Sequence, residues 1–263
     1  MKLYPLATAI CLLCVITTGA QTKPERETMG LKGAVKIVRE ERVDVSPQDG
    51  QPLPNGRREV STMTFDEQGR ELDHSFSNPD GTPRKKRVFV HDAQGNVVEE
   101  DSYNASGTLV GKEFSSYRFD EAGRLLERIV HNGAGVLQYN TVIAYDARGN
   151  RTDFAMYEAD GTMITRTVNS YDDEGKLQDS TMYSRGGKLV AQTTRARDTG
   201  KMSLVADPDG AFKRLAEIPN NYREEEFDAH GNWTKRTIVM LHTKSSGKPE
   251  EVLEVTRRTI SYY

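Results

Sequence analysis

Six segments of this chain share one form, an aromatic ring followed by Asp-x-x-Gly. They are Phe65-Asp66 to Gly69, His91-Asp92 to Gly95, Phe119-Asp120 to Gly123, Tyr145-Asp146 to Gly149, Tyr171-Asp172 to Gly175, and Phe227-Asp228 to Gly231. The first five glycines are spaced by 26, 28, 26 and 26 residues, and a second glycine stands 12 residues after each: Gly81, Gly107, Gly135, Gly161 and Gly187. A fixed internal period of this kind marks a repeat architecture, in which each unit buries surface only against its neighbours. Every repeat therefore holds two turns built by one rule. The Asp side chain accepts hydrogen bonds from amides inside the turn, and the glycine supplies the positive φ that ends a type I turn with a bulge. This connection joins antiparallel strands.

A turn of this type sets the residue before the Asp opposite the second residue after the Gly. The expected pairs are His91 with Val97, Phe119 with Leu125, Tyr171 with Leu177 and Phe227 with Trp233. The second turns give Tyr103 with Leu109, His131 with Leu137, Tyr157 with Met163 and Tyr183 with Leu189. Phe65 with Glu71 and Tyr145 with Arg151 are the two pairs without an aliphatic partner. Aromatic–aliphatic pairs across strands contribute roughly 0.2–1 kcal/mol each. The distance from the apolar position after one Gly to the next aromatic is always even, so strict alternation places all these rings on one sheet face. Val88, Val142, Val168, Val130, Met156 and Met182 then fall on the other, which suits a sheet that curls or is partly covered.

The expected fold is all-β: tandem β-hairpin repeats forming a long, curled antiparallel meander sheet of roughly 14–18 strands, too many for a flat open sheet. Residues 31–263 make this β domain, with clear repeats over 60–190, an irregular insertion over about 196–222 and closing strands over 223–263. Ala34 to Val45 is the opening strand, Asn55-Gly56 a hairpin turn, and the C-terminal Thr259 to Tyr263 closes the sheet edge. Residues 21–30 are expected to be flexible. The first 20 residues read as a signal peptide: Lys2, an apolar stretch from Leu6 to Ile16, and Thr18-Gly19-Ala20, with cleavage after Ala20. Both cysteines, Cys11 and Cys14, lie inside it, and neither follows the small residue that precedes a lipidated cysteine. The remaining chain has no thiol for a disulfide or a zinc site and no stretch long enough to span a bilayer. It is expected to be secreted or periplasmic.

Tyr145-Asp146-Ala147-Arg148-Gly149-Asn150 and Tyr171-Asp172-Asp173-Glu174-Gly175-Lys176 resemble the YD repeat of bacterial RHS-type proteins, and the likeness runs over roughly residues 60–235. The resemblance implies tandem hairpins wound into a curling sheet, though so short a chain is not expected to enclose a cargo. Asp173 to Leu177 and Gly186-Gly187-Lys188-Leu189 also resemble the turns of MORN-like antitoxin repeats, the second family to which the chain is similar.

No residue pattern calls for an enzyme. Gly-x-Ser-x-Gly, phosphate-cradling and dinucleotide motifs are absent from the sequence. The histidines His74, His91, His131, His230 and His242 show no metal-ligand spacing, and repeat register accounts for three of them. The turn aspartates Asp66, Asp92, Asp120, Asp146, Asp172 and Asp228 are better explained as caps than as calcium ligands, which must converge on one point. A glycosidase pair of carboxylates is not visible, although strands can unite distant acids. Net charge is −3, with acids and bases interleaved, so no nucleic-acid partner is expected. Arg84-Lys85-Lys86-Arg87 is the one basic run. The candidate binding residues are Tyr103, Tyr145, Tyr157, Tyr171 and Tyr183, rings suited to stacking on sugars or gripping a partner chain, with register-fixing ladder roles as the competing account. The expected function is a non-catalytic binding or scaffold module of the bacterial cell envelope, recognising a protein or a glycan and using no cofactor. The alternatives are a carbohydrate-binding module and an undetected hydrolase.

Overall fold

A computed structural model describes residues 23–54, 56–195, 202–206, 222–243 and 249–263. The expected leader and most of the expected insertion, including Asp198-Thr199-Gly200 and Asp207 to Gly210, lie outside these residues, as does Asn55. One helical turn, α1 (Glu25–Thr28), precedes sixteen strands. These are β1 (Val35–Val45), β2 (Arg58–Phe65), β3 (Glu71–Ser77), β4 (Pro83–His91), β5 (Val97–Asn104), β6 (Leu109–Phe119), β7 (Leu125–Asn132) and β8 (Leu137–Tyr145). They continue as β9 (Arg151–Glu158), β10 (Met163–Tyr171), β11 (Leu177–Ser184), β12 (Lys188–Arg195), β13 (Met202–Ala206), β14 (Tyr222–Phe227), β15 (Trp233–Thr243) and β16 (Pro249–Tyr262).

All sixteen belong to one antiparallel sheet in the order β13 back to β1, then β16, β15 and β14. The first thirteen strands are a plain meander. The last three form a second short meander attached to the far side of β1. The C-terminal strand therefore does not close an edge, as the sequence pattern suggests. β16 is an interior strand, paired with β1 from Val35–Tyr262 to Val45–Leu253 and with β15 on its other side. The sheet edges are β13 and β14. β14 carries Arg223 and Glu224 to Glu226, charges of the kind that discourage edge-to-edge pairing.

Turn chemistry fixes the register. All ten expected cross-turn pairs are Cα partners, from Phe65–Glu71 and His91–Val97 to Tyr183–Leu189 and Phe227–Trp233. At Asp146 the carboxylate accepts the amides of Arg148 and Asn150 at 2.9 and 2.8 Å, while Gly149 N donates to Asp146 O at 3.0 Å. Gly149 adopts φ +88°, a conformation that other residues reach only with strain.

Just beyond each of these pairs, and beyond Ser77–Pro83, the ladder skips one residue. Leu72, Arg84, Val98, Val110, Leu126, Gln138, Thr152, Ile164, Gln178, Val190 and Thr234 have no opposite partner, and each is the third residue after its turn glycine. Such a bulge bends its strand, sharpens the local twist and reverses the in–out phase of the residues beyond it. The expectation that all the ring positions share one face is therefore corrected. Phe65, His91, Phe119, Tyr145, Tyr171 and Phe227 point to one face, and Tyr103, His131, Tyr157 and Tyr183 point to the other. One strand shows why: Lys112, opposite Asp101, shares the face of Tyr103, whereas Phe119 at the end of the same strand alternates to the opposite side.

The compact core lies on the Phe65 face where the termini meet. Leu31, Val35, Val38, Met63 and Phe65 are buried together, with Met29, Ile260 and Tyr262 packed against them. The N-terminal segment, expected to be flexible, is docked over this cluster. Arg26 N donates to Gly69 O at 3.0 Å, and Asn232 bridges to the backbone of Lys32, accepting from its N at 2.7 Å and donating to its O at 2.9 Å. The His230 ring stacks on Tyr262 at 4.0 Å, and Tyr262 donates to Asp228, so a repeat turn also holds the chain ends. Further along the same face, Glu40 accepts from Arg258 at 2.8 Å and from Arg42 at 2.6 Å. The Arg258 guanidinium lies 3.5 Å from the centre of the Trp233 ring. Burial pushes the Glu40 carboxyl up, but the two arginine charges outweigh it and hold it below its ordinary value.

The core makes a direct contrast available. Phe65 is 1% exposed and Phe227, its counterpart in the last repeat, is 56% exposed. Phe65→Ala should cost about 3–5 kcal/mol in urea unfolding, and Phe227→Ala under about 1 kcal/mol, the range of a cross-strand pair. Equal losses would contradict the placing of Phe65 inside the buried cluster and of Phe227 outside it.

Candidate functional site

The five candidate tyrosines do not form one surface. Tyr103, Tyr157 and Tyr183 lie on one face, and Tyr145 and Tyr171 on the other, as the bulges dictate. All five are half-buried. Tyr171 donates its hydroxyl to Arg151 O at 2.9 Å, and Tyr145 sits 4.9 Å beneath the Arg124 guanidinium. Both contacts tie neighbouring hairpins together. Arg124 also caps its own turn through Asp120 and reaches Asp146 O of the next turn at 3.5 Å. On this edge, rings and arginines stitch one turn to the next.

Tyr103 has a different setting. It lines an open cavity of about 830 Å³ at the opposite edge, between the turns at 78–82 and 104–108, together with Ser75, Ser77, Lys86, Val88 and Asn104. Its hydroxyl lies 3.4 Å from Asp101 Oδ2.

The turn aspartates are occupied. Asp66, Asp92, Asp120, Asp172 and Asp228 each accept a backbone amide from the residue four positions on, as Asp146 does. Hydrogen bonding from the Asn150 side chain and from turn amides holds the Asp146 carboxyl below its usual range. Gly69, Gly95, Gly123, Gly175 and Gly231 complete the same turns. Among the described residues no group of three His, Cys, Asp or Glu is placed to hold a metal ion, and no helix is long and apolar enough to cross a membrane.

One cluster escapes the repeat pattern, because α1 contributes to it from outside the repeats. Glu25 accepts Glu71 N at 3.1 Å and sits 3.4 Å from His91 Nε2. Glu71 Oε1 lies 3.4 Å from His74 Nδ1, and the His74 ring stacks on Phe76 at 4.2 Å. Burial raises the Glu71 carboxyl to about 7; Arg87 opposes the rise, and the Glu25 and Asp73 charges add to it. Burial, reinforced by the Arg87 charge, lowers His74 to about 4. Between those values both groups are neutral, so their contact is not an ion pair. No sequence spacing signals this arrangement; it depends on where the N-terminal turn docks.

No family model matches the chain, and no curated protein does. Among solved structures it is similar to a porin-like protein from Bacteroides uniformis at 9% identity, covering 88% of this chain and 98% of that one, with a TM-score of 0.44. It is similar to a DUF1329 family protein from Desulfovibrio piger at 12% identity, over 87% and 86% of the two chains, with a TM-score of 0.27. It is also similar to TcdB2-TccC3 at 13% identity over 82% of this chain, with a TM-score of 0.28, and spans only 14% of that protein. With TM-scores below 0.5, none of these likenesses assigns a function.

The Glu71–His74 pair sets opposed pH dependences. Glu71, raised in the folded state, contributes stability at low pH that is lost as pH rises from about 4.5 to about 7. His74, lowered in the folded state, contributes stability above about 6.5 that is lost as pH falls toward about 4. The two nearly cancel in the intact chain. His74→Asn should therefore melt at progressively lower temperature as pH is raised from 4.5 to 7, and Glu71→Gln should show the reverse slope. Parallel pH profiles for the two variants would show that these groups titrate normally.

Proposed function

We propose that this chain is a non-catalytic secreted repeat protein that acts as a binding or scaffold module at the bacterial cell envelope. The supporting observation is the Tyr103 face. Val90, Leu109, Phe114 and Val142 on that face remain 48, 47, 39 and 37% exposed, more large apolar surface than a solvent-facing sheet needs. Charges between them are already paired, as Lys112 is with Glu99 and Asp101. Apolar side chains set among neutralised charges suit a partner surface better than a reaction centre. The turn aspartates are engaged in capping, which weighs against hydrolysis by the repeated acids. The leader over residues 1–20 supports export, and the repeated ring-Asp-x-x-Gly turns support placing the chain with YD-repeat proteins.

The carbohydrate reading keeps one specific support, the cavity beside Tyr103. The test compares the intact chain with Val90→Glu/Phe114→Glu as bait in envelope extract, recovering both protein and polysaccharide. The scaffold reading expects one stoichiometric protein component, lost with the double variant. Retention of that component by the variant, or recovery of polysaccharide alone, would contradict it.

A further inference from the structure

The turn at Asp228 shows what a repeat turn of this chain can grip. Its last residue, Asn232, clamps one residue of the N-terminal segment by the main chain alone. Oδ1 accepts Lys32 N at 2.7 Å, and Nδ2 donates to Lys32 O at 2.9 Å. The Tyr262 ring flanks the clamp, with its hydroxyl 2.8 Å from Asn232 Nδ2.

The turn at Asp92 carries the same parts. Asp92 accepts the amides of Gln94 and Asn96, both at 2.9 Å, as Asp228 accepts those of His230 and Asn232. Glu99, four residues after Gly95, pairs with Phe114, just as Lys235, four after Gly231, pairs with Arg257. Five residues further along each partner strand, Phe119 stands where Tyr262 stands, and both rings lie on the Phe65 face. Asn96 is 5% exposed. Its Nδ2 donates to Asp92 Oδ2 at 2.8 Å, which fixes the orientation of the amide, and its Oδ1 is buried without a hydrogen-bond partner. A buried acceptor left in that state costs about 1–3 kcal/mol. Beside it is a cavity of about 410 Å³, whose lining includes Asp92, Gln94, Asn96, Val98, Tyr117 and Phe119. Tyr117 is held in place by donating its hydroxyl to Val97 O at 2.6 Å.

The other turns of this row do not offer the clamp. Arg70, Arg124 and Lys176 fill the asparagine position in three of them. At Asn150 the Arg124 guanidinium reaches across the turn to Asp146 O at 3.5 Å. The Asp92 turn also continues an interface that the molecule already uses for an extended chain. The N-terminal segment meets Asn232 at Lys32 and Gly69 at Arg26, and it reaches His91, the residue before Asp92, at Glu25.

We propose that the Asp92–Asn96 turn is a docking site for an extended polypeptide segment of a partner protein, clamped by Asn96 through the N–H and C=O of one residue as Asn232 clamps Lys32. Main-chain recognition of this kind supplies affinity while tolerating varied side chains. The site lies on the face opposite Tyr103, so it is separate from the apolar surface of that face.

The test is a nuclear magnetic resonance titration of the isotope-labelled protein with a heptapeptide of its own Met29 to Val35 sequence, followed at the Gly95 backbone amide and the Asn96 side-chain amide. The peptide should shift both resonances saturably. N-methylation of the peptide at its Lys32 position removes the clamped N–H and should weaken binding about tenfold, whereas Lys32→Ala in the peptide should change it far less. Asn96→Arg in the protein should abolish the shift at Gly95 and keep the turn, because Arg70 and Arg124 hold the same position through Nε bonds to Asp66 and Asp120 at 2.6 and 2.7 Å. A peptide that shifts neither amide, binds equally when N-methylated or still binds after Asn96→Arg overturns the clamp. Binding seen only in a chain lacking the residues ahead of Lys23 assigns the site to this protein's own N-terminus and overturns the external partner.

Discussion

One unpaired residue per hairpin controls the shape of this protein. A long antiparallel meander with strict alternation would be a ribbon with one set of rings on one side. Here the third residue after each turn glycine leaves the ladder, as at Leu72, Val98 and Leu126. Every strand entered through such a turn therefore starts in one phase and finishes in the other. Because the bulges recur at both edges of the sheet, the bend is distributed along its length. A sheet of this size is accommodated by curling rather than by stacking on a second layer. The rings divide accordingly. One row is bound into the turn-to-turn stitching of Arg124, Tyr145 and Tyr171, and the other is left beside the exposed apolar positions and the cavity.

Curling alone does not stabilise the ends of a repeat array, since each unit contacts only its neighbours. The terminal strands solve this by pairing with each other. β1 and β16 form a seam near the β14 edge, with β15 and β14 beyond it, and α1 and the residues after it cover the apolar cluster on the Phe65 face. The Asp228 turn serves twice, closing its own hairpin and gripping the N-terminal segment through Asn232 and Tyr262. The buried Glu40–Arg258 contact sits on the same seam and favours this strand pairing over a slipped one, which would leave a charge unmatched.

Much of this was legible in the sequence. The Asp-x-x-Gly rule gives the hairpins and all ten cross-turn pairs, because turn type alone determines which residues face each other at the first rung. The rule stops at that rung. The bulge residues Leu72, Arg84, Gln138 and Thr152 share no chemistry, so nothing in composition marks them, and the parity argument for one ring-bearing face fails at that point. The docking of α1, and with it the Glu25–Glu71–His74–His91 cluster, depends on tertiary contact between residues 41 or more positions apart, such as Arg26 with Glu67.

The most direct test of the account is the register beyond a bulge. In a chain with Cys11→Ser and Cys14→Ser, two double variants distinguish the bulged from the unbulged ladder. Asn169 is the Cα partner of Ser180, one residue further than an unbulged strand would allow. Asn169→Cys/Ser180→Cys should form a disulfide readily under mild oxidation, and Asn169→Cys/Asp179→Cys should not, because its two side chains point to opposite faces. Efficient crosslinking of the second pair with failure of the first would contradict the bulged ladder and the division of the rings between two faces.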